Sequence, residues 1–495
     1  MPTTNDPCVF VLFGATGDLS RRKLLPALFR LYCEDLLPHN FAVVGFALPD
    51  GRYAEYQDFV RDALAEFISQ DERRTCHLDE FIEMCSLVPG NFSDPEAYTK
   101  LAEALKKTDE EKGTLGNRLF YLATPPTTVP DTLTYLNALG MTTRQAQTAP
   151  WTRIIAEKPF GTDRESARRL TMLFHNVVNE DQVYRIDHYL GKDAVQDVTV
   201  LRFANSLFEP LWNRGYVDHV QVTVAETLGV ERRGNYFDKT GETRDMVQSH
   251  ALQVIALIAM EPPNSFNANA IRDEKAKVLE AMRPLTAHYA VRGQYGPGKG
   301  ADNQAVPGYR EEISVPPDSN TETFMAARLF IESWRWSGVP FYIRAGKRMP
   351  STRTEVNIQF KGAPLTLFRG SNRRPEPNVL RLRIQPDAEI SFTVELKRPG
   401  TAHDLLPVEL DMLYGEVFKE ARMRDAYERL VLDALHGDAL LFMREDEIDA
   451  AWRVVDPLLA YWRSDPADFP NYAAGTWGPE AADELIARDG RKWIG

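Results

Sequence analysis

Cysteines are few in this chain, and long apolar runs and an excess of positive charge are missing from it. Its four cysteines (Cys8, Cys33, Cys76 and Cys85) form no Cys-x-x-Cys pair, so we expect a reducing compartment and no metal site. No apolar run is long enough to span a bilayer, and residues 1–7 are polar rather than signal-like. These features predict a cytoplasmic protein without a membrane partner.

The net charge of −13 argues against a nucleic-acid partner, which normally leaves a basic footprint. A small anionic ligand stays compatible with this charge, because a local cationic pocket can form in an acidic protein. The chain has 495 residues, of which 43% are apolar and 26% are charged. This length and composition predict two globular domains.

The most polar short segment runs from Arg185 to Lys192 and reads Arg-Ile-Asp-His-Tyr-Leu-Gly-Lys. Burying so many polar groups without partners would be costly, so we expect a partner outside the local chain. An anionic ligand is the natural candidate, since Lys, His and Tyr all donate hydrogen bonds to phosphate oxygens. Taken alone, the segment is equally compatible with a solvated surface turn.

A glycine turn follows the first apolar run. Residues 8–13 are typical of a strand that is buried on both faces, and residues 21–32 repeat apolar side chains at helical spacing. Between them lie Gly14, Ala15, Thr16, Gly17, Asp18 and Leu19. In a strand–turn–helix unit, glycines let backbone N–H groups approach a phosphate at the helix start. The spacing departs from Gly-x-Gly-x-x-Gly, so a plain tight turn is the alternative.

Strands and helices alternate through the N-terminal part of the chain. Strand-like segments recur at 41–47, 86–92, 118–123 and 151–156, and helical segments lie near 54–69, 95–107, 129–139 and 163–178. This alternation predicts the doubly wound, Rossmann-like dinucleotide fold. Lys158 follows the fifth strand, and ligands bind at the carboxyl ends of such strands. It is a candidate contact for cofactor or substrate, with a solvated lysine as the alternative.

The C-terminal part has a different pattern. Residues 217–227 alternate as a half-buried strand, and residues 238–260 are expected to be helical. Strand-like segments at 341–344, 355–360, 379–385 and 390–396 follow without crossover helices, which predicts an antiparallel sheet. We therefore expect an α/β domain over residues 1–185 and an α+β domain over residues 186–495. The second has a large, mainly antiparallel sheet flanked by helices, and its open face is a candidate dimer surface.

Several motifs follow one another along the chain: residues 14–19, 157–161, 185–192, 201–212, 235–238 with 244–250, and 344–347. In sequence and in order they resemble the glucose-6-phosphate dehydrogenase family. The resemblance runs over nearly the whole chain, which chance matches to single motifs would not give. It implies oxidation of β-D-glucose 6-phosphate at C1 to 6-phospho-D-glucono-1,5-lactone, with hydride transfer to NADP⁺. This is the first step of the oxidative pentose phosphate pathway.

The resemblance also implies roles for individual residues. His250 matches the base that takes the C1 hydroxyl proton, a task that suits imidazole, and Asp187 matches the carboxylate that orients it. The implied substrate contacts are His188, Tyr189 and Lys192 for the phosphate, Glu226, Asp245 and Lys347 for the sugar, and Lys158. The implied cofactor contacts are Gly14, Ala15, Thr16, Gly17, Asp18, Leu19, Arg21 and Lys158. A homodimer or homotetramer is implied as well.

Two positions depart from the family pattern. Leu48 stands where the family commonly has an arginine that meets the 2′-phosphate of NADP⁺. Without this guanidinium, discrimination against NAD⁺ is expected to weaken, so NAD⁺ or dual use is an alternative. The family also has a basic residue about five positions after the lysine matched by Lys347. Here that residue is Thr352, with Arg353 one step later.

Two other functions are alternatives for this sequence. One is a sugar oxidoreductase of another family with a Glu-Lys-Pro turn, which would not be expected to carry the phosphate contacts of His188, Tyr189 and Lys192. The other is a non-catalytic dinucleotide sensor. A sensor would be expected to lack the base or its orienting acid, whereas His250 and Asp187 are both present.

Overall fold

The computed structural model describes residues 6–365, 367, 373–401, 404–419 and 422–495. These residues form two compact units, each assembled from three segments of the chain. The first unit contains Met1–Gly191, Ser265–Arg272 and Arg424–Asp449. The second contains Lys192–Asn264, Asp273–Met423 and Ala450–Gly495. Among the described residues, no helix has both the length and the apolar character needed to cross a bilayer.

The strands in chain order are β1 (Cys8–Phe13), β2 (Phe41–Ala47), β3 (Cys85–Pro89), β4 (Arg118–Leu122), β5 (Thr152–Ala156), β6 (Val183–Ile186), β7 (Val217–Ala225), β8 (Ala290–Gly293), β9 (Tyr295–Gly296), β10 (Gly298–Lys299), β11 (Ala305–Val306), β12 (Phe324–Phe330), β13 (Pro340–Gly346), β14 (Arg353–Phe360), β15 (Val379–Gln385), β16 (Glu389–Lys397), β17 (Leu405–Leu413), β18 (Phe442–Met443) and β19 (Tyr472–Ala473).

The α-helices are α1 (Leu25–Cys33), α2 (Tyr56–Phe67), α3 (Gln70–Thr75), α4 (Leu78–Glu83), α5 (Pro95–Lys112), α6 (Val129–Ala138), α7 (Arg164–Val177), α8 (Asp193–Phe203), α9 (Gly234–Glu242), α10 (Leu252–Ala259), α11 (Ala268–Ala281), α12 (Tyr414–Val417), α13 (Ala426–His436), α14 (Glu445–Ser464) and α15 (Glu480–Ala487). Two π-helices, Ser20–Leu24 and Thr243–Ala251, directly precede α1 and α10.

The first unit is built on a seven-stranded sheet in the order β18-β6-β5-β4-β1-β2-β3. Its pairings are parallel except for β18 against β6. Strands β1, β2, β4 and β5 are buried along their whole length, as expected for a sheet with helices on both faces. The predicted doubly wound fold is confirmed. Strands β6 and β18 were not predicted, because each is a very short run beside polar residues.

The second unit is built on an eight-stranded sheet in the order β17-β16-β15-β14-β7-β13-β12-β8. Its pairings are antiparallel except for β13 against β7. The predicted mainly antiparallel sheet is confirmed. Strands β13 and β14 are not neighbours, because β7 lies between them and pairs with both.

Residues Val217–Ala225 form strand β7 as expected, but the expectation that this strand is half-buried is wrong. The polar side chains His219, Gln221 and Thr223 are as buried as the valines between them. The C-terminal segment covers this polar row. The Gln221 amide donates to the carbonyl of Lys492 at 2.9 Å, and its oxygen accepts from the N–H of Ile494 at 2.9 Å. The alternation of polar and apolar side chains along β7 therefore separates two buried faces. On the polar face, groups of the C-terminal segment satisfy the buried side chain of Gln221.

The expected helices at 21–32 and 238–260 both contain a π-helical segment. The N–H of Leu252 donates to the carbonyl of Val247, five residues earlier, where an α-helix would use the carbonyl four residues back. Apolar spacing predicts a helix but does not distinguish the two geometries, because the widened turn depends on the tertiary structure around it.

The cysteines are not all reduced, contrary to expectation. Cys33 at the end of α1 forms a disulfide with Cys76, with Cα atoms 5.4 Å apart. Cys8 and Cys85 are buried thiols. Burial raises the pKa of each of these two thiols to about 12, so neither is a nucleophile at neutral pH. The disulfide joins α1 to the segment that follows α3, within the first unit.

Candidate active site

The glycine turn brings the end of β1 close to neighbouring strands. Gly14 has φ of +78°, and a Cβ atom there would lie 2.2 Å from the carbonyl oxygen of Ala123. Its N–H donates to the carbonyl of Phe46 at 2.9 Å, and its carbonyl accepts a hydrogen bond from the Ser20 hydroxyl at 2.8 Å. Only glycine fits this position, and the helix starts directly after the turn. This is the backbone cradle that a dinucleotide phosphate requires.

A cavity of about 320 Å³ lies beside the turn, at the carboxyl ends of β2 and β3. Its lining includes Thr16, Asp50, Tyr53, Tyr56 and Ser86. The Thr16 hydroxyl donates to the carbonyl of Leu48 at 3.0 Å, so the turn is tied to the end of β2. The position and size of this cavity suit the adenosine end of a dinucleotide.

The arginines beside this cavity are already paired with acids. Arg21 donates to Asp62 at 2.5 Å and to Glu66 at 2.7 Å. Arg52 pairs with Asp50 at 2.6 Å, and this hydrogen bond holds the pKa of Asp50 at about 2. The side chain of Leu48 is 61% exposed. A 2′-phosphate would therefore compete with carboxylates for Arg21 and Arg52, while Leu48 offers it no donor.

Glu157 and Lys158 follow β5, as predicted, and Lys158-Pro159 is a cis peptide. The Tyr121 hydroxyl donates to Glu157 at 2.5 Å. Burial raises the pKa of Glu157 to about 7, with Asp187 adding to the shift and Tyr121 and Lys158 opposing it. An acid that titrates near neutral pH thus lies beside two predicted site residues.

The polar segment from Arg185 to Lys192 is shared between the two units, with residues 185–191 in the first and Lys192 in the second. Arg185 is buried in β6 and pairs with Glu180 at 2.9 Å, so its partner is protein, contrary to the expectation of an outside partner. Asp187 is buried and accepts the N–H of Tyr189 at 2.9 Å. The half-buried His188 ring lies 5.0 Å from the ring of Tyr189. The candidate phosphate contacts of the first unit are therefore adjacent at the end of β6.

Lys192 begins the second unit and caps the start of α8. Its ammonium donates to the side-chain oxygen of Gln385, the last residue of β15. An ammonium at the start of a helix is opposed by the helix dipole, so this position needs a nearby negative group or dipole. The amide of Gln385 supplies one, and a phosphate would supply a stronger one.

Three predicted sugar contacts come together in the second unit. Lys347 follows β13, is buried, and forms an ion pair with Glu226 at the end of β7. Backbone bonds from Glu226 to Gly346 and from Met349 to Glu226, each 2.9 Å, fix the two strand ends together. Burial opposes the charge of Lys347, but Glu242, Glu226 and Asp245 outweigh it and raise its pKa. Lys347 is therefore an ammonium surrounded by acids.

Asp245 and His250 both lie on the π-helix Thr243–Ala251 and are both buried. They are five residues apart, which is the hydrogen-bond repeat of a π-helix. The Ser249 hydroxyl donates to the carbonyl of Asp245 at 2.8 Å, so it helps to hold this turn. π-helical turns are frequent at functional sites. Asp187 belongs to the other unit, so its pairing with His250 stays a prediction.

Sequence reasoning missed some residues near the predicted ones. Tyr121 and Tyr427 flank Glu157 in the first unit, and burial with the charge of Glu157 raises the pKa of both hydroxyls. Gln385 contacts Lys192, and Glu242 contacts Lys347. Nothing in the sequence near these residues signals a site.

Arg353 is the basic residue one step after Thr352, the position at which the family has a basic residue. Its guanidinium lies 4.6 Å from the centre of the Trp477 ring and 3.3 Å from the carboxylate of Glu355.

Comparison with known proteins gives full-length matches. Residues 11–197 match the model of the NAD binding domain of glucose-6-phosphate dehydrogenase, and residues 199–494 match the model of its C-terminal domain. The glucose-6-phosphate 1-dehydrogenase of Aggregatibacter actinomycetemcomitans is 46% identical over 493 residues, covering 98% of this chain and 97% of that protein. The enzyme of Mycolicibacterium smegmatis is 44% identical over 498 residues, covering 100% and 99%.

Solved structures agree with these sequence matches. A glucose-6-phosphate dehydrogenase in complex with its substrate glucose-6-phosphate superimposes with a TM-score of 0.89 at 35% identity, covering 100% of both chains. The glucose-6-phosphate 1-dehydrogenase of Mycobacterium avium superimposes with a TM-score of 0.83 at 36% identity, covering 99% of both chains. The similarity therefore spans both units.

Proposed function

We infer, because the chain belongs to the glucose-6-phosphate dehydrogenase family, that it is a glucose-6-phosphate 1-dehydrogenase. The reaction converts the C1 hydroxyl of β-D-glucose 6-phosphate into the carbonyl of 6-phospho-D-glucono-1,5-lactone. Hydride leaves C1, and the hydroxyl proton leaves for a base. This oxidation opens the oxidative pentose phosphate pathway. The chain is therefore an NAD(P)-dependent oxidoreductase acting on a CH–OH group.

In this proposal His250 is the base. A neutral imidazole accepts the C1 hydroxyl proton as the hydride departs, and its ordinary pKa range suits this task near neutral pH. Asp187 is proposed to orient the ring and to stabilise the imidazolium that forms. The burial of both side chains supports these roles, because electrostatic interactions are stronger away from water.

The remaining residues are proposed to bind the two ends of the substrate. His188, Tyr189 and Lys192 hold the phosphate through charge-assisted hydrogen bonds. Glu226, Asp245 and Lys347 hold sugar hydroxyls, since carboxylates accept and ammonium donates. The ion pair of Lys347 with Glu226, in the same compact unit as Asp245 and His250, is the observation that carries the assignment.

The cofactor is proposed to be NADP⁺, with NAD⁺ also used. When bound, the nicotinamide accepts the hydride at its ring. The turn from Gly14 to Leu19 with Arg21 is proposed to hold the dinucleotide, with Lys158 between cofactor and substrate. The absence of space for a side chain at Gly14 and the cavity beside Thr16 support this fit. The exposed Leu48 and the acid-paired Arg21 support weak discrimination between the two cofactors.

Nicotinamide reduction, followed as absorbance at 340 nm, tests the assignment directly. We expect reduction with glucose 6-phosphate and far slower reduction with unphosphorylated glucose, because the phosphate contacts are lost. Equal rates with both sugars would favour a sugar oxidoreductase of another family. Dinucleotide binding without reduction of any sugar would favour a sensor.

A homodimer is proposed, with a second copy covering an apolar face on β16 and β17. This β16–β17 face consists of four facing pairs of partly or fully exposed apolar residues: Ile390 with Met412, Phe392 with Leu410, Val394 with Val408, and Leu396 with Leu406. An apolar patch of this extent on an edge strand favours burial against another chain. A homotetramer would use this face within each of its dimers.

The functional division at residues 1–185 and 186–495 and a cytoplasmic location belong to the same proposal. The division places the predicted cofactor contacts in the N-terminal part and most sugar contacts in the C-terminal part. The sugar phosphate and nicotinamide cofactors that the reaction consumes are metabolites of the cytoplasm.

A further inference from the structure

Glu242 is a buried acid that the proposed reaction does not use. It is the last residue of α9, directly before the π-helix that carries Asp245 and His250, and its side chain is 0% exposed. Across the described part of the chain, no residue donates a hydrogen bond to either of its carboxyl oxygens. Leaving a buried carboxyl without donors is unfavourable. Its presence beside the site therefore calls for a functional reason.

The ammonium of Lys347 lies 3.9 Å from the carboxyl of Glu242. Lys347 is itself 2% exposed at its side chain, and its Nζ lies 4.9 Å from the ring of Phe237. The ammonium donates a hydrogen bond to Glu226, whose side chain is 32% exposed. The ammonium thus lies between an acid that a ligand can reach and an acid that is closed off from solvent.

The backbone before the π-helix fixes the position of Glu242. Gly241 has φ of +73°, and a Cβ atom there would lie 2.6 Å from the carboxylate of Glu322. The same Glu322 accepts the N–H of Thr243 at 3.2 Å, and its carbonyl accepts the N–H of Glu242 at 3.0 Å. Glu322 therefore holds the backbone at Glu242 and Thr243, from which the Glu242 side chain extends.

We propose that Glu242 is a positioning residue for Lys347. When a sugar hydroxyl replaces the ammonium of Lys347 as the donor to Glu226, Glu242 holds that ammonium in place. The proposal rests on the proposed function, in which Glu226 and Lys347 both contact the sugar. An ammonium has three N–H donors, and in this structure Glu226 occupies one of them. When Glu226 turns to a hydroxyl, Glu242 supplies an acceptor that keeps Lys347 in place and charged.

The electrostatics agree with this role. Burial, together with Glu226, Asp245 and Glu322, raises the pKa of Glu242 well above its usual range, while Lys347 opposes the shift. In either protonation state the carboxyl keeps an oxygen that can accept a hydrogen bond from the ammonium.

Two variants separate an acceptor role from a packing role. Glu242→Gln keeps a carbonyl oxygen at the same place, and Glu242→Met fills similar volume without any acceptor. We expect KM for glucose 6-phosphate to rise about tenfold or more in Glu242→Met, since a hydrogen bond to a charged group is lost. Glu242→Gln is expected to stay within about threefold of the wild type, and kcat and KM for the nucleotide should change little in both.

The matched control is Glu389→Met, which removes a buried glutamate paired with Arg383 at 2.6 Å elsewhere in the same unit. It should leave KM unchanged. Titration calorimetry with glucose 6-phosphate gives Kd for each protein without turnover, so a wild type that binds sugar phosphate but does not oxidise it would contradict the proposed function alone.

Two results would overturn the positioning role. One is Kd and KM in Glu242→Met equal to the wild-type values. The other is an equal loss in Glu242→Met and Glu242→Gln, which would show that only packing matters. Thermal unfolding is followed for each variant, and Glu242→Ala replaces Glu242→Met in the comparison if the methionine variant does not fold.

Discussion

At the scale of single residues, His250 is the clearest test of the chemistry. We expect His250→Asn to lower kcat by about 10²–10⁴-fold with little change in KM, because only proton transfer in the transition state is lost. Steady-state kinetics with glucose 6-phosphate measures both constants. His219→Asn, which alters another buried histidine of the same unit, should keep kcat. Unchanged turnover in His250→Asn would remove this residue from its role.

Leu48 is expected to set cofactor preference. Leu48→Arg places a guanidinium beside Thr16 and should raise the ratio of kcat/KM for NADP⁺ to that for NAD⁺ about tenfold or more, because arginine pairs with the 2′-phosphate. The ratio is measured with saturating glucose 6-phosphate. Leu139→Arg adds the same charge at another exposed leucine of the first unit and should leave the ratio unchanged. A ratio unaffected by Leu48→Arg would place the 2′-phosphate elsewhere.

Glu157 is expected to make stability depend on pH near neutrality. Its folded-state pKa of about 7 is above the ordinary value of 4.5. Its contribution to stability is therefore complete below pH 4.5 and is lost as pH rises through 7. Relative to Glu157→Gln, the wild type should lose up to about 3 kcal/mol of unfolding free energy between pH 5 and 8. Urea unfolding at each pH measures this.

The control for Glu157 is Glu165→Gln, an exposed glutamate on α7 of the same unit. Its unfolding free energy should follow that of the wild type at every pH. If the unfolding free energies of Glu157→Gln and the wild type differ by the same amount at every pH, a neutral Glu157 below pH 7 would be contradicted.

At the scale of elements, the disulfide should stabilise the start of the first unit. Cys33 and Cys76 are 43 positions apart, and closing a loop of this length contributes about 2–4 kcal/mol by restricting the unfolded chain. Cys76→Ser should lower the unfolding free energy by this amount in the absence of reductant. Reductant should destabilise the wild type to the same extent and leave the variant unaffected. Equal stability in both would show that the two cysteines are reduced in solution.

Most elements were predictable because their apolar pattern is strong. Strands β1 and β2 are continuous apolar runs, and β4 and β5 are apolar after their first one or two residues. The motifs at the ends of these strands mark the carboxyl edge of the sheet. The same reasoning did not predict the burial of both faces of β7. Its polar row is buried under the C-terminal segment, and the hydrogen bonds that join the two span more than 260 residues of sequence. Burial by a distant segment leaves no local signal.

The candidate site was predictable only in its residues, not in their partners. His250, Asp245, Lys347 and Glu226 were all identified by resemblance, but the burial of Glu242 beside Lys347 depends on how α9 meets β13. The π-helix was also not predictable. On an α-helix, residues five apart point about 140° away from each other, whereas the π geometry brings Asp245 and His250 to successive turns of one face.

At the scale of the whole molecule, the β16–β17 face predicts the oligomeric state. The wild type should have twice the mass of one chain or a multiple of it in light scattering, because a second copy buries the apolar pairs. Leu410→Lys puts a charge at the centre of this face and should shift the mass towards the monomer. Val200→Lys, at an exposed position of α8, should keep the wild-type mass. A monomeric wild type would contradict the proposal.

The first unit is assembled from segments that the ribosome makes far apart in time. Its sheet is completed at one edge by β18, which pairs with β6 across Phe442 and Ile186. The guanidinium of Arg153 on β5 donates to the carbonyl of Ala434 in α13 at 3.0 Å. Both partners emerge only after some 430 residues have been translated, although β6 ends at Ile186. The nascent N-terminal sheet must therefore wait, with an open edge, until synthesis is almost over, and a chaperone that shields this edge would be expected to raise the yield of native enzyme.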